Sequence, residues 1–308
     1  MINSRTHIAP TVLPKNTASV FQTIVQLFKL RIVVLLLFAG TGGAFIAARG
    51  FPGFGALLLM TVTGGFAAAG ASALNQYFER DIDAEMNRTR KRPLVMGTLG
   101  NANWVLPVAL GLIFVPSLIA LPFNPALAFW SVLGAVIYAG IYTMWLKPRS
   151  VLNIVIGGFA GTCAVLSGGA AVSPAMEVWA QPGVIILGLL VFLWTPTHFW
   201  SLALMYRQDY ARVSMPMLPV RISPRASAFW IALHMVPTGF AALALSASVA
   251  IGWLYLIPVA LATADLLWRC IRLYVDPTGQ RARSVFLASN IYLTIVLLML
   301  CITTIKFF

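Results

Sequence analysis

Long apolar runs separated by short polar interruptions make up almost the whole chain. Runs near 31–49, 55–74, 104–122, 126–146, 151–172, 183–205, 227–247, 250–273 and 285–305 each hold mostly uncharged residues. About 20 such residues are what an α-helix needs to cross a hydrocarbon core of about 30 Å. The runs are apolar on all sides, whereas a transmembrane barrel alternates apolar and polar residues over segments of about ten. The pattern therefore predicts an all-α integral membrane protein with nine transmembrane helices. The connections near 123–125 and 246–250 are the shortest. Two polar connections, 75–103 and 206–226, are long, each follows an even-numbered helix, and they lie four helices apart. That spacing predicts a bundle of two related four-helix halves, helices 1–4 and 5–8, plus a ninth helix. Gly157, Gly158, Gly161, Gly168 and Gly169 predict close packing of helices 5 and 6, since small residues let membrane helices approach.

Composition agrees with this pattern and excludes a water-exposed surface. Only 9% of the 308 residues are charged and 60% are hydrophobic, against roughly 25% charged in soluble domains. Cys163, Cys270 and Cys301 lie within apolar runs without zinc-ligand spacing, so packing is their expected role. Residues 1–28 carry Arg5, His7 and Lys15, no acid, and no compact apolar core with a small-residue cleavage site. They read as a cytoplasmic N-terminal tail preceding one intramembrane domain over 29–308.

Charge sets the orientation. Nineteen of the 21 Lys and Arg residues fall on one side, and Arg49 and Lys306 on the other. By the positive-inside rule the N-terminus is cytoplasmic, and the polar connections 75–103 and 206–226 cap a site at that face. Orientation accounts for most of the net charge of +13. The bilayer and an anionic substrate are the expected partners, and no nucleic acid is needed.

Half of the eight acidic residues, Glu79, Asp81, Asp83 and Glu85, fall at the cytoplasmic end of helix 2. If that helix continues past residue 74, Asn75, Glu79 and Asp83 share one face at i, i+4, i+8, and Asp81 and Glu85 point away. Like charges so close repel unless a cation sits between them. Hard oxygen donors without cysteine or histidine favour Mg²⁺, which takes one or two carboxylates and leaves its other positions to water and phosphate oxygens. Arg88, Arg90, Lys91 and Arg92 follow, with Arg88 and Arg92 at i, i+4. Carboxylates for a metal beside guanidiniums for oxyanions suit a diphosphate ester; the bland alternative is a solvated loop that anchors topology.

The later connection echoes this, with Asp209 between Arg207 and Arg212. Counting back eleven residues along a continuous helix reaches His198 on nearly the same face, about 16 Å deeper, with Trp194 a turn further. An ionisable ring within a span is a candidate site; the plain alternative is a histidine hydrogen-bonded to a neighbouring helix.

The segment NQYFERDIDAEMNRTRKRPL (75–94) resembles the Asn-xxx-Asp/Glu-xxx-Asp signature of the UbiA-type intramembrane prenyltransferases. Together with YTMWLKPRSVLNIVIGG (142–158), WTPTHFWSLAL (194–204) and DYARVSMPMLPV (209–220), it is most similar to the branch that farnesylates protohaem IX. Thr197 stands where that branch usually has a second proline, and 161–169 lacks its proline pair and tryptophan. The resemblance implies transfer of farnesyl from farnesyl diphosphate to a vinyl group of haem B, giving haem O and diphosphate for haem–copper oxidase biogenesis. It implies Mg²⁺ on Asn75, Glu79, Asp83 and Asp209, and diphosphate contacts from Arg88, Arg92, Lys147 and Arg212. Tyr77, Tyr138, Tyr142 and Trp194 are candidates to face an allylic cation, and His198 is a candidate to ligate the haem iron or hydrogen-bond a propionate. It further implies haem A synthase or oxidase assembly factors as partners, and the absence of a strong transit peptide favours a multi-pass protein of a bacterial inner membrane over a mitochondrial one. A quinone-precursor prenyltransferase and an organic-anion transporter are the competing readings.

Overall fold

A computed structural model describes residues 20–249 and 252–305. Among them nine helices are long and apolar enough to cross a membrane: α1 (Leu30–Ala48), α2 (Phe54–Glu85), α3 (Ala102–Ala120), α4 (Pro125–Leu146), α5 (Asn153–Val172), α6 (Pro182–Met205), α7 (Pro224–Ala247), α8 (Gly252–Val275) and α9 (Gly279–Thr304). The described residues contain no strand. Arg5, His7, Lys15 and Lys306 lie outside the described residues, as does part of the 246–250 connection.

The helices begin where local chemistry starts them. Asn124 accepts from the Leu127 amide, with Pro125 in the first helical position, where a missing N–H costs nothing. Thr278 caps α9 through the Arg281 amide, so α9 starts six residues before its apolar run and carries Arg281 and Arg283 in its first turns. The largest departure is α2. Its 32 residues extend about 48 Å at 1.5 Å per residue, and its last eleven residues are the polar ones expected in a cytoplasmic connection. That connection is therefore helix up to Glu85 and turns from Met86 to Gly100. Residues 206–226 likewise hold two short helices, Arg207–Arg212 and Leu218–Arg221.

Packing groups α2 to α5 as successive neighbours and α6 to α9 as another set, joined by α5 against α6. The α1 helix is seated mainly on α5 and also touches α6 and α9. The fourfold grouping is thus displaced by one helix from the 1–4 and 5–8 division read from the loops, and α9 closes the bundle against α6 and α8. The glycines of α5 divide their work. Gly158 and Gly161 face Thr195 and Val191 of α6, but Gly168 lies so close to the backbone of Gly40 in α1 that a Cβ there would overlap it. Two stretches have the wider π-helical turn, Thr61–Gly65 in α2 and Val136–Leu146 in α4, a feature frequent near functional sites.

Candidate active site

The end of α2 forms the floor of the site. Asn75, Glu79 and Asp83 are all buried, whereas Asp81 and Glu85 are exposed, as the 3.6-residue period requires. Each buried acceptor meets a cation from a different element. Lys29, just before α1, donates from Nζ to Asn75 Oδ1 and to the Tyr138 hydroxyl at 3.1 Å. Lys147, after α4, donates to Glu79 Oε1 at 2.5 Å. Arg92 pairs with Asp83 and lies 3.9 Å from Glu79. Asn75 also donates through Nδ2 to Thr143 Oγ1 at 3.0 Å. The acids that crowd one face are thus neutralised by side chains of the protein itself.

The π-helical part of α4 supplies the aromatic wall. Tyr138 and Tyr142 stack with centroids 5.7 Å apart and planes at 18°. Lys29 lies 5.7 Å from the Tyr138 ring and Lys147 5.5 Å from the Tyr142 ring. The wider turn brings Tyr138, Tyr142 and Thr143 towards α2. Gly157 of α5 leaves room for Tyr142, since a Cβ there would meet the ring at 2.7 Å. A cavity of about 240 Å³ adjoins this wall, lined by Phe78, Glu79, Ile82, Thr143, Lys147 and Met215 among others.

Asp209 closes the site from the far connection. It accepts from Asn87 Nδ2 and from the Arg88 amide, each at 3.1 Å, and Arg212 lies 3.7 Å away. The Arg88 guanidinium donates to the Tyr210 hydroxyl at 3.0 Å and lies 5.8 and 5.6 Å from the Tyr206 and Tyr210 rings. Burial works against its charge, but Tyr210, Tyr142, Asp83 and Glu79 hold its pKa above the usual value. Burial pushes the Lys29 ammonium well below its usual range. Arg92 and Lys147 add to that, and Glu79 and Asp83 oppose it. Arg207 stands apart, bonded to the Pro219 and Ile222 carbonyls, where it pins the connection.

His198 and Trp194 form a separate cluster between α6 and α9. Their rings stack at 4.3 Å and 16°, and Phe286 lies 4.6 Å from the histidine on a tilted plane. His198 Nδ1 is 2.9 Å from Ser289 Oγ, and Trp194 Nε1 donates to the Ser289 carbonyl at 2.8 Å. Helix α6 ends at Met205 and a new helix begins at Arg207. The straight helical count from Asp209 back to His198 therefore does not hold. Trp194, with its indole N–H bonded to α9, belongs with the histidine and not with the tyrosine wall.

An amide and two carboxylates on one buried face are hard oxygen donors of the kind Mg²⁺ takes, and neighbouring cations suit phosphate oxygens. Among the described residues no three His, Cys, Asp or Glu side chains gather into a metal-binding group. A metal on Asn75, Glu79 and Asp83 would have coordination positions left for other oxygens.

Residues 35–296 match the model of the UbiA prenyltransferase family. The chain belongs to the UbiA prenyltransferase family. Two curated UbiA relatives are both protoheme IX farnesyltransferases. The Metallosphaera sedula protein is 39% identical over 281 residues, covering 90% of this chain and 94% of its own. The Sulfurisphaera tokodaii protein is 42% identical over 250 residues, covering 80% and 79%. The UbiA fold is shared with a solved digeranylgeranylglyceryl phosphate synthase structure at 20% identity and TM-score 0.75, covering 93% of this chain and 99% of that one. It is shared also with a UbiA homolog from Archaeoglobus fulgidus bound to GPP and Mg²⁺, at 12% identity and TM-score 0.58, covering 90% and 99%. The protein is a multi-pass membrane prenyltransferase.

Residues that the sequence did not single out complete the candidate site. Lys29 read as an orientation charge, because a lysine beside a span serves topology by default. Asn87, Thr143 and Tyr210 gave no signal, since their partners lie 68 to 122 residues away.

Proposed function

We propose that the protein is a magnesium-dependent protohaem IX farnesyltransferase: farnesyl diphosphate and haem B, with water, give haem O and diphosphate. The observation that carries this reading is the buried Asn75–Glu79–Asp83 stripe with Lys147 and Arg92 upon it, in a chain whose curated relatives bear that name. Asn75, Glu79, Asp83 and Asp209 would hold Mg²⁺, which when bound would supply positive charge to the diphosphate. Arg88, Arg92, Lys147 and Arg212 take up the charge that develops as the bond from farnesyl C1 to the diphosphate oxygen breaks. The faces of Tyr138 and Tyr142 stabilise the allylic cation. A vinyl carbon of haem B forms the new bond to C1, and water adds to the neighbouring carbon with loss of a proton.

The acceptor belongs at the His198–Trp194 cluster. The hydrogen bond between His198 Nδ1 and Ser289 Oγ supports a positioning of the ring of the kind that orients a haem or metal ligand. His198→Ala is expected to weaken haem B binding more than farnesyl diphosphate binding, read by spectroscopic haem titration beside a donor titration. The reverse order moves His198 to the donor site.

The site face is cytoplasmic, in a bacterial inner membrane, and the product passes to haem A synthase or oxidase assembly factors. The decisive experiment expresses the protein in a strain that lacks this step and analyses the extracted haems. Haem O is the expected product. Prenylation of 4-hydroxybenzoate without any use of haem would falsify the reading.

A further inference from the structure

Lys29 is a half-buried lysine for which the proposed reaction so far has no role. It lies between the helix Val20–Leu27 and α1, with a left-handed backbone (φ 48°, ψ 46°), a region where side chains other than glycine are uncommon. The turn is held from outside. Gln76, the neighbour of Asn75 on α2, donates through Nε2 to the Gln26 carbonyl at 2.6 Å and the Leu27 carbonyl at 2.8 Å. The two consecutive α2 residues thus grip both sides of the same bend, one by its backbone and one by its ammonium.

What the ammonium meets is unusual for a half-buried lysine beside two carboxylates. Its hydrogen-bond partners, Asn75 Oδ1 and the Tyr138 hydroxyl, are neutral oxygens. The two buried carboxylates beside it are already paired, Glu79 with Lys147 and Asp83 with Arg92. Three cations beside two carboxylates leave one positive charge unmatched in a place with little water, so a left-handed backbone that delivers that cation to neutral partners calls for an anion that arrives later. Asn75 Oδ1 is also the oxygen that a hard cation would take. Lys29 and a metal ion are alternative occupants of one atom.

We propose that Lys29 is a diphosphate-binding residue held in reserve on a metal ligand: as a magnesium diphosphate enters, its ammonium leaves Asn75 Oδ1 to the metal and donates to a terminal diphosphate oxygen. This rests on the assignment of Asn75 to a magnesium–diphosphate site, and needs neither the farnesyl donor nor haem.

The test is calorimetric titration of the full-length protein in lipid nanodiscs, with inorganic diphosphate at saturating Mg²⁺ and with Mg²⁺ alone. Lys29→Met is expected to weaken diphosphate binding at least tenfold and to leave Mg²⁺ affinity unchanged or tighter, because a competitor for Asn75 has gone. Lys29→Arg, which keeps the charge, is expected to stay within a few-fold of wild type for diphosphate. If Lys29→Met does not give monodisperse protein, Lys29→Gln is titrated against the same two criteria. Diphosphate affinity within twofold of wild type overturns the proposal, as does an equal loss for diphosphate and Mg²⁺, the mark of a structural role. Wild-type protein that does not bind magnesium diphosphate sinks the metal site as well, whereas a protein that binds it but makes no haem O leaves the Lys29 proposal standing.

Discussion

At the scale of single residues the site is governed by charge in a place with little water. Glu79 and Lys147 are both below 10% exposed, so each depends on the other. Removing one partner of a buried pair leaves an uncompensated charge and costs about 3–5 kcal/mol, whereas replacing both with apolar residues of similar size is often neutral. Lys147→Met is therefore expected to lower thermal stability in detergent more than the double variant Lys147→Met, Glu79→Leu, while both lose turnover. Equal melting temperatures for the two would contradict the pairing. Asp83→Ala separates chemistry from folding, because it frees Arg92 on the half-buried rim. It is expected to reduce diphosphate release on the order of a hundredfold or more, with the protein still inserted and monodisperse. The acidic stripe was legible in the sequence because its members lie within nine residues on one helix, where periodicity fixes their face. The cations that pair with it were not, since Lys29 and Lys147 come from elements whose juxtaposition only packing decides.

At the scale of elements, the existence of the spans was legible and their ends were not. Hydropathy reports where a helix leaves the hydrocarbon, and says nothing of how far hydrogen bonding carries it beyond. Both α2 and α9 show this, α2 by running on to Glu85 and α9 by starting at Gly279. The break at Tyr206 is the opposite case. A helix assumed continuous from His198 to Asp209 is two helices, and the depth relation drawn between them goes with it. Among the contacts between elements, α1 on α5 leaves least room. Gly168→Val places a Cβ where the Gly40 backbone stands. Overpacking costs about 1–3 kcal/mol, so a lower melting temperature is expected, with residual activity in whatever fraction remains folded. An unchanged melting temperature would show that α1 and α5 can part without loss.

At the scale of the whole molecule, the two sets α2–α5 and α6–α9 bring the acid stripe and the His198 cluster from different halves of the bundle. The sequence pointed to paired four-helix units but assigned them one helix early. Both long polar connections follow a helix that ends on the same face, yet connections do not record which helix α1 packs against. Orientation is open to a direct check. Lys91 is exposed on the turn after α2, so Lys91→Cys is expected to react with a membrane-impermeant maleimide only when the cytoplasmic side is open to it. Labelling of intact cells would reverse the topology.

The overshoot of α2 past the bilayer core has a consequence for how such a catalyst experiences its surroundings. Because its 32 residues exceed what a core of about 30 Å needs, its last turns would hold Glu79 and Asp83 at the level of the lipid headgroups, with the helix below them in hydrocarbon. A diphosphate can then stay hydrated at the interface with its tail dissolved among acyl chains, and neither has to be transferred through the wrong medium. The relevant concentration of substrate becomes molecules per lipid rather than moles per litre. Added inert phospholipid would slow such a catalyst by spreading its substrates over a larger surface, at constant bulk composition.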